Sequence, residues 1–150
     1  RFDDAGVNDD ATRGPCLGVY CGCHDTETCA PTCGFDGCRL TCDHLDACQA
    51  SCSDGCRSSA SSVRSYELVC GDDCRSTCDS SGGCEITCGH DCDVRCASVG
   101  RCHVTMLDGS ARCDGTGSCE IECSGGDGTL WPAAAGEDGA LRCPAQSARR

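Results

Sequence analysis

Cysteine is the residue with chemistry to offer in quantity here, filling 22 of the 150 positions. A thiol can form a disulfide, bind a metal as thiolate, or act as a nucleophile. Spacing separates these uses. Structural zinc and iron–sulfur sites favour C-x2-C pairs, and the chain contains none. One C-x-C, Cys21 and Cys23, stands where a thiolate metal store would show many. His24, His44, His90 and His103 are scattered without H-x3-H spacing, and His44, His90 and His103 lie among polar positions that point to solvated side chains. There is no G-x-S-x-G elbow and no Gly-rich phosphate loop. An even cysteine count in a short chain fits a complete set of disulfides, which persist in an oxidising compartment. The expectation is a secreted protein that is not an enzyme and carries no cofactor.

The rest of the composition makes the cysteines necessary. Val, Ile, Leu and Phe number only 18 of 150 residues, and the net charge is −12. That combination ordinarily belongs to a disordered chain. Ordering a residue costs roughly 1.5 kcal/mol, more than so few apolar groups can offset. No stretch approaches the length of a transmembrane helix. All 12 basic residues are Arg, and the acidic excess argues against a nucleic-acid partner. The chain opens at Arg1 and closes on Arg149-Arg150, which reads as excision from a longer secreted precursor.

The elements that must position the cysteines are legible as five-residue words. CRLTC, CEITC, CDVRC and CEIEC place Cys, an aliphatic residue and Cys at positions one, three and five, with CHVTM a variant ending at Met106. Polar residues fill the alternate positions, as in a strand with one dry face. Leu40, Ile86, Val94, Val104 and Ile121 are expected to point inward with their cysteines. A spacing of four also suits one face of a helix, and residues 42–56 can be drawn that way. The β-branched centres and the Gly- and Asp-rich joints favour strands.

The words recur at a regular step, starting at residues 74, 84, 92, 102, 109 and 119. Joints of five residues (79–83, 97–101, 114–118) and three residues (89–91) alternate. Short strands at a fixed step are the mark of a solenoid. The fold expected is all-β: a flattened, two-sheeted β-solenoid of about 18-residue coils with a disulfide-filled interior. The alternative is a set of irregular disulfide-rich small domains. Cysteines flank the joints, which suggests the pairs Cys23/Cys29, Cys42/Cys48, Cys78/Cys84, Cys96/Cys102 and Cys113/Cys119 across five residues. Cys52/Cys56, Cys70/Cys74 and Cys88/Cys92 would pair across three. Cys16/Cys21, Cys33/Cys38 and Cys123/Cys143 complete the set. Met106 occupies a cysteine slot, and the slot across its joint, Gly109 or Ser110, also lacks one. Pairing between coils is the other possibility, since sequence alone does not fix connectivity.

Five segments follow. Residues 1–15 read as a flexible acidic arm, 16–56 as an N-terminal Cys-rich part, and 57–65 as a Ser-rich break. Residues 66–143 carry the solenoid repeats, with Tyr66, Leu68 and Cys70 inward in their first strand, and 144–150 form a tail. Trp131 is expected to cap the end of the stack, and Leu141 and Cys143 to form a last coil.

Over residues 20–125 the architecture resembles the disulfide-filled β-solenoid of beetle antifreeze proteins in general shape. That resemblance implies a stack of narrow coils; in those proteins a flat outward Thr-x-Thr ladder binds ice. Here the outward pairs are Arg39/Thr41, Glu85/Thr87, Asp93/Arg95, His103/Thr105 and Glu120/Glu122, so the ice-binding motif is absent. GGDGTLW (125–131) resembles one nonapeptide of a calcium-binding β-roll, although Asp-Gly is equally a turn signal. The function expected is a secreted structural protein, a subunit of an extracellular filament, sheath or surface appendage. A module binding ice, mineral or calcium is the alternative, and a secreted defensive peptide is the third reading. The partners expected are further copies of the chain or other extracellular proteins, with the acidic arm reaching Arg39, Arg75, Arg95 and Arg112 on a neighbour.

Overall fold

Alternation of small inward and polar outward residues produces strands throughout the described residues. The computed structural model describes residues 13–15, 20–24, 28–125, 128–136 and 140–143, and no helix occurs among them. The strands are β1 (Arg13–Pro15), β2 (Tyr20–His24), β3 (Thr28–Cys33), β4 (Arg39–Cys52), β5 (Arg57–Val69), β6 (Arg75–Asp79) and β7 (Gly83–Cys88). They continue as β8 (Cys92–Ala97), β9 (Arg101–Met106), β10 (Gly109–Asp114), β11 (Ser118–Ser124), β12 (Leu130–Pro132), β13 (Ala134–Ala135) and β14 (Leu141–Cys143).

Parallel pairing arranges them as two faces of one solenoid. The first face stacks β2, the opening residues of β4 and β5, then β6, β8 and β10. The second stacks β3, the closing residues of β4 and β5, then β7, β9 and β11. Arg39 lies beside Arg57, Arg57 beside Arg75 and Arg75 beside Asp93, a constant step of 18 residues. Asp93 lies beside Ser110, a step of 17. The molecule is thus a disulfide-rich β-solenoid of about 6 turns.

Each coil changes direction at two corners, and each corner spends one residue in the left-handed region. One corner column is His44, Ser62, Ser80 and Ser98 (φ 51–57°), then Gly115. The other is Gly37, Gly55, Asp73 and Asp91, followed by Gly109, which lies one residue out of that column beside Cys92. Glycine enters this region freely, whereas other L-residues pay roughly 1–2 kcal/mol. Gly109 is the demanding case, because at φ 136° a Cβ would collide with the Cys92 carbonyl.

The interior holds Leu40, Ile86, Val94, Val104 and Ile121 at 4% exposure or less, with the cysteines around them. Tyr66, Leu68 and Cys70 also point inward. The five-residue corners add Leu45, Val63 and Val99 to the core. Residues 57–65, read from sequence as a break, are instead the first part of β5, in register with β4 and β6. Its inward residues are Ser58, Ala60 and Val63. They are small enough for the narrow interior, and the buried hydroxyls of Ser58 and Ser76 satisfy each other at 2.8 Å. A serine-rich strand therefore fits where cysteine is missing.

At the C-terminal end the chain reverses. β12 runs antiparallel to β11, placing Trp131 opposite Cys123 and against the core. β14 runs antiparallel to β10, and β13 pairs with β14. Leu141 and Cys143 thus close the stack with a reversed strand rather than with a further parallel coil. The acidic arm up to residue 12 and the tail 144–150 lie outside the described residues; residues 13–15 form β1, parallel to β3.

Candidate functional site

Two columns of sulfur run along the interior. Across the longer corner the bonds are Cys23–Cys29, Cys42–Cys48, Cys78–Cys84, Cys96–Cys102 and Cys113–Cys119. Across the shorter corner they are Cys33–Cys38, Cys52–Cys56 and Cys88–Cys92, and Cys123–Cys143 fastens the terminal cap. Their Cα separations of 5.4–6.7 Å lie within the range a disulfide spans. Cys21 is also disulfide-bonded. The suggested Cys16/Cys21 pair cannot be placed further, because Cys16 lies outside the described residues.

The Cys70/Cys74 pair corrects the sequence reading: both are buried thiols. Cys74 Sγ donates to the Gly71 carbonyl at 3.3 Å. Its hydrogen bond with Cys70 holds the Cys70 thiol protonated, with burial acting in the same direction. That same bond lowers the pKa of Cys74. The coil holding them also lacks the other bridge, since Ala60 and Tyr66 replace cysteines there. Tyr66 fills the gap with a ring that is 1% exposed. Its hydroxyl has no full hydrogen-bond partner, with Ser58 and the Cys70 and Cys74 thiols as the groups that act on it. Burial pushes the phenol well above its usual pKa. One turn from the end, Met106 stacks between Cys88 and Cys123 while Gly109 lies beside Cys92, so this rung is filled by a thioether. Cys96, Cys102 and Cys113 lie close enough to suggest a metal cluster, but their sulfurs are committed to disulfides and offer no thiolate.

The outer surfaces sort by charge. On the first face one column runs Tyr20, Arg39, Arg57, Arg75, Asp93, Ser110 and Arg142, and the next contains Thr41, Ser59, Thr77, Arg95 and Arg112. Arg39 sits over the Tyr20 ring, 5.9 Å from its centroid. A shallow groove of about 320 Å³ lies over Arg75, Thr77, Asp93, Arg95 and Arg112. The second face carries Gln49, Glu67, Glu85, His103 and Glu120 in one column, and Ser51, Val69, Thr87, Thr105 and Glu122 in the next. His103 is held between two carboxylates, with Nε2 3.0 Å from Glu122 and Nδ1 3.7 Å from Glu85.

The shorter corner forms an acidic ridge. Asp54 Oδ1 accepts from the Asp72 backbone N–H at 2.8 Å, and Asp72 Oδ1 accepts from that of His90 at 2.8 Å. Asp108 accepts from the Asp91 backbone N–H at 2.7 Å and lies 2.6 Å from His90 Nδ1. The hydrogen bond to Asp108 raises the His90 pKa. His103 is partly buried between its carboxylates, in contrast to the solvated reading, whereas His90 is partnered and still exposed, as that reading expects. These carboxylates cap the backbone of a neighbouring rung, the next one for Asp54 and Asp72 and the preceding one for Asp108, a structural role.

Sequence reasoning misses Arg57, which sits in the serine-rich run; counting 18 forward from Arg39 finds it. It also misses the corner residues Leu45, Val63 and Val99, because the five-residue joints read as turns alone. The Asp of the calcium-like GGDGTLW segment, Asp127, lies outside the described residues; around it Gly125 N–H donates to the Thr129 carbonyl at 2.8 Å. No helix among the described residues is long and apolar enough to cross a membrane. No protein-family description, no curated protein and no solved structure matches the chain. The disulfide content suits an extracellular protein with a structural or binding role.

Proposed function

We propose that the chain is a secreted structural protein, a stiff non-enzymatic subunit of an extracellular filament, sheath or surface appendage. The observation that carries this reading is the continuity of the two outer faces. Side chains repeat in columns from rung to rung over a sulfur-bonded interior, giving flat, rigid surfaces suited to contact with other large surfaces.

The ends of the rod bear on how such subunits would join. An exposed strand edge templates another chain. The C-terminal end is instead covered by β12, β13 and β14, which are 3, 2 and 3 residues long, with Pro132 in β12. Short edges and proline are devices that block strand addition. Growth by adding rungs at that end is disfavoured, which leaves the faces as the means of association. Negative-stain imaging and sedimentation of the oxidised protein over rising concentration test the reading. Filaments or lateral arrays are expected; a monomer at every concentration would overturn it.

A further inference from the structure

The two faces differ in the sign of their charge: the first carries six outward arginines against Asp43, Asp79, Asp93 and Asp114, and the second four outward glutamates against Arg101. Of the eight arginines whose side chains are described, Arg39, Arg57, Arg75, Arg95, Arg112 and Arg142 lie on the first face. All four described glutamates, Glu67, Glu85, Glu120 and Glu122, lie on the second. Like charges directly opposite on neighbouring strands destabilise a sheet, so the stacking of Arg39, Arg57 and Arg75 is a cost to the isolated molecule. Arg57, Arg75 and Arg95 have no carboxylate within ion-pair distance among the described residues.

We propose that the arginine face of one molecule docks on the glutamate face of a second copy. This inference rests on the structural reading above and names the surfaces that would carry it. Arg57 and Arg75 are strand neighbours, as are Glu67 and Glu85, so both pairs repeat at about 4.8 Å. A guanidinium fork meets a carboxylate two-pronged, and the shared spacing lets adjacent forks meet adjacent carboxylates. A second copy accounts for both segregated faces at once, whereas an anionic polymer would account for the arginines alone. The net charge of −12 opposes association in bulk. Asp54, Asp72, Asp91 and Asp108 place part of that charge on the corner ridge, away from the faces, and at physiological salt screening acts within about 8 Å.

The contact joins two different surfaces and leaves each molecule with one of each unused. Such a contact does not close and produces a filament. A face of six rungs by five residues spans roughly 16 by 29 Å. It would bury about 900 Å² in total, in the range of weak, reversible interfaces.

The experiment is sedimentation velocity of the oxidised full chain at 0.15 M and 1 M salt, with the variants Arg57→Glu/Arg75→Glu and Glu67→Arg/Glu85→Arg. Circular dichroism checks that each variant keeps its fold, and Arg57→Ala/Arg75→Ala serves if the reversed variant does not. Wild type is expected to associate at 0.15 M and to weaken at least about tenfold at 1 M, as screening shortens to about 3 Å. Each variant should be monomeric alone, and an equimolar mixture of the two reversed variants should associate again. Assembly unchanged in the variants would overturn the docking while leaving the structural reading intact. A wild-type monomer under all conditions would overturn both. A wild-type monomer that binds a sulfated polysaccharide through Arg57 and Arg75 would assign the arginine face to a polyanion and overturn self-docking.

Discussion

Removing a single oxygen tests how the unbridged coil is held together. Tyr66→Phe deletes the hydroxyl of the largest fully buried side chain, in the rung where Ala60 and Tyr66 replace cysteines. A buried polar group left without a proper partner costs about 1–3 kcal/mol. The neighbouring Ser58–Ser76 hydrogen bond at 2.8 Å survives the change, so no second group is orphaned. Against the gain stand the weak contact with Ser58 and a void of one oxygen, together about 0.5 kcal/mol by cavity scaling and the lower end of hydrogen-bond values. The net expectation is stabilisation by about 1 kcal/mol, or about 3 °C in Tm for a chain of this size. Most substitutions destabilise, so the sign alone is informative. Urea unfolding followed by circular dichroism without reductant reads it. Tyr66→Ala should cost about 3–5 kcal/mol, in line with other large aromatic truncations. If Tyr66→Phe lost more than about 0.5 kcal/mol, the hydroxyl would be a well-made hydrogen bond and the argument would be wrong.

Replacing Cys78 and Cys84 by Ala should cost about 2 kcal/mol, and replacing Cys123 and Cys143 about 3 kcal/mol; their separations are 6 and 20 residues, and loop entropy grows with length. Equal losses in urea unfolding would contradict that ordering. Asp73→Gly should stabilise by about 0.5–1 kcal/mol, because Asp73 holds φ 58° at a corner position that Gly37 and Gly55 fill in the two preceding coils. Gly109→Ala should lower Tm sharply or prevent folding, since its Cβ would collide with the Cys92 carbonyl. The His90 pKa is raised in the folded state, chiefly by the hydrogen bond to Asp108, with Asp72 and Asp91 adding. Its contribution to stability is therefore fully present below about pH 6.5, the unfolded value, and is lost as pH rises through the folded pKa. His90→Gln should flatten that part of the pH–stability curve, and an unchanged slope would remove His90 as its source.

Legibility in the sequence followed the spacing of sulfur. Words such as CEITC and CDVRC announce both the strand and its dry face, and the cysteines flanking the joints mark the corners that are bridged. Where cysteine gives way to other small residues the signal fades. Ser58, Ala60 and Val63 make a sound rung, yet a serine-rich run looks like a loop because its hydroxyls do not reveal that Ser58 will be matched by Ser76. The corner residues Ser62, Ser80 and Ser98 occupy left-handed backbone that nothing in serine advertises; only their interval of 18 exposes it. The charged faces are harder still. Arg39 and Arg57 are neighbours in space only once the register is known, so the opposition of arginine and glutamate faces belongs to the fold rather than to any local motif. Cys70 and Cys74 mark the limit of spacing as a guide, since their interval of four matches Cys52–Cys56 and Cys88–Cys92 and yet they are thiols.

The account depends on bonded sulfur standing in for an apolar core. The most direct measurement is far-ultraviolet circular dichroism of the native protein before and after complete reduction and alkylation, without denaturant. The β-sheet spectrum should collapse to that of a disordered chain, because 18 Val, Ile, Leu and Phe residues cannot hold 150 in order. A fully reduced chain that kept its β spectrum would contradict it.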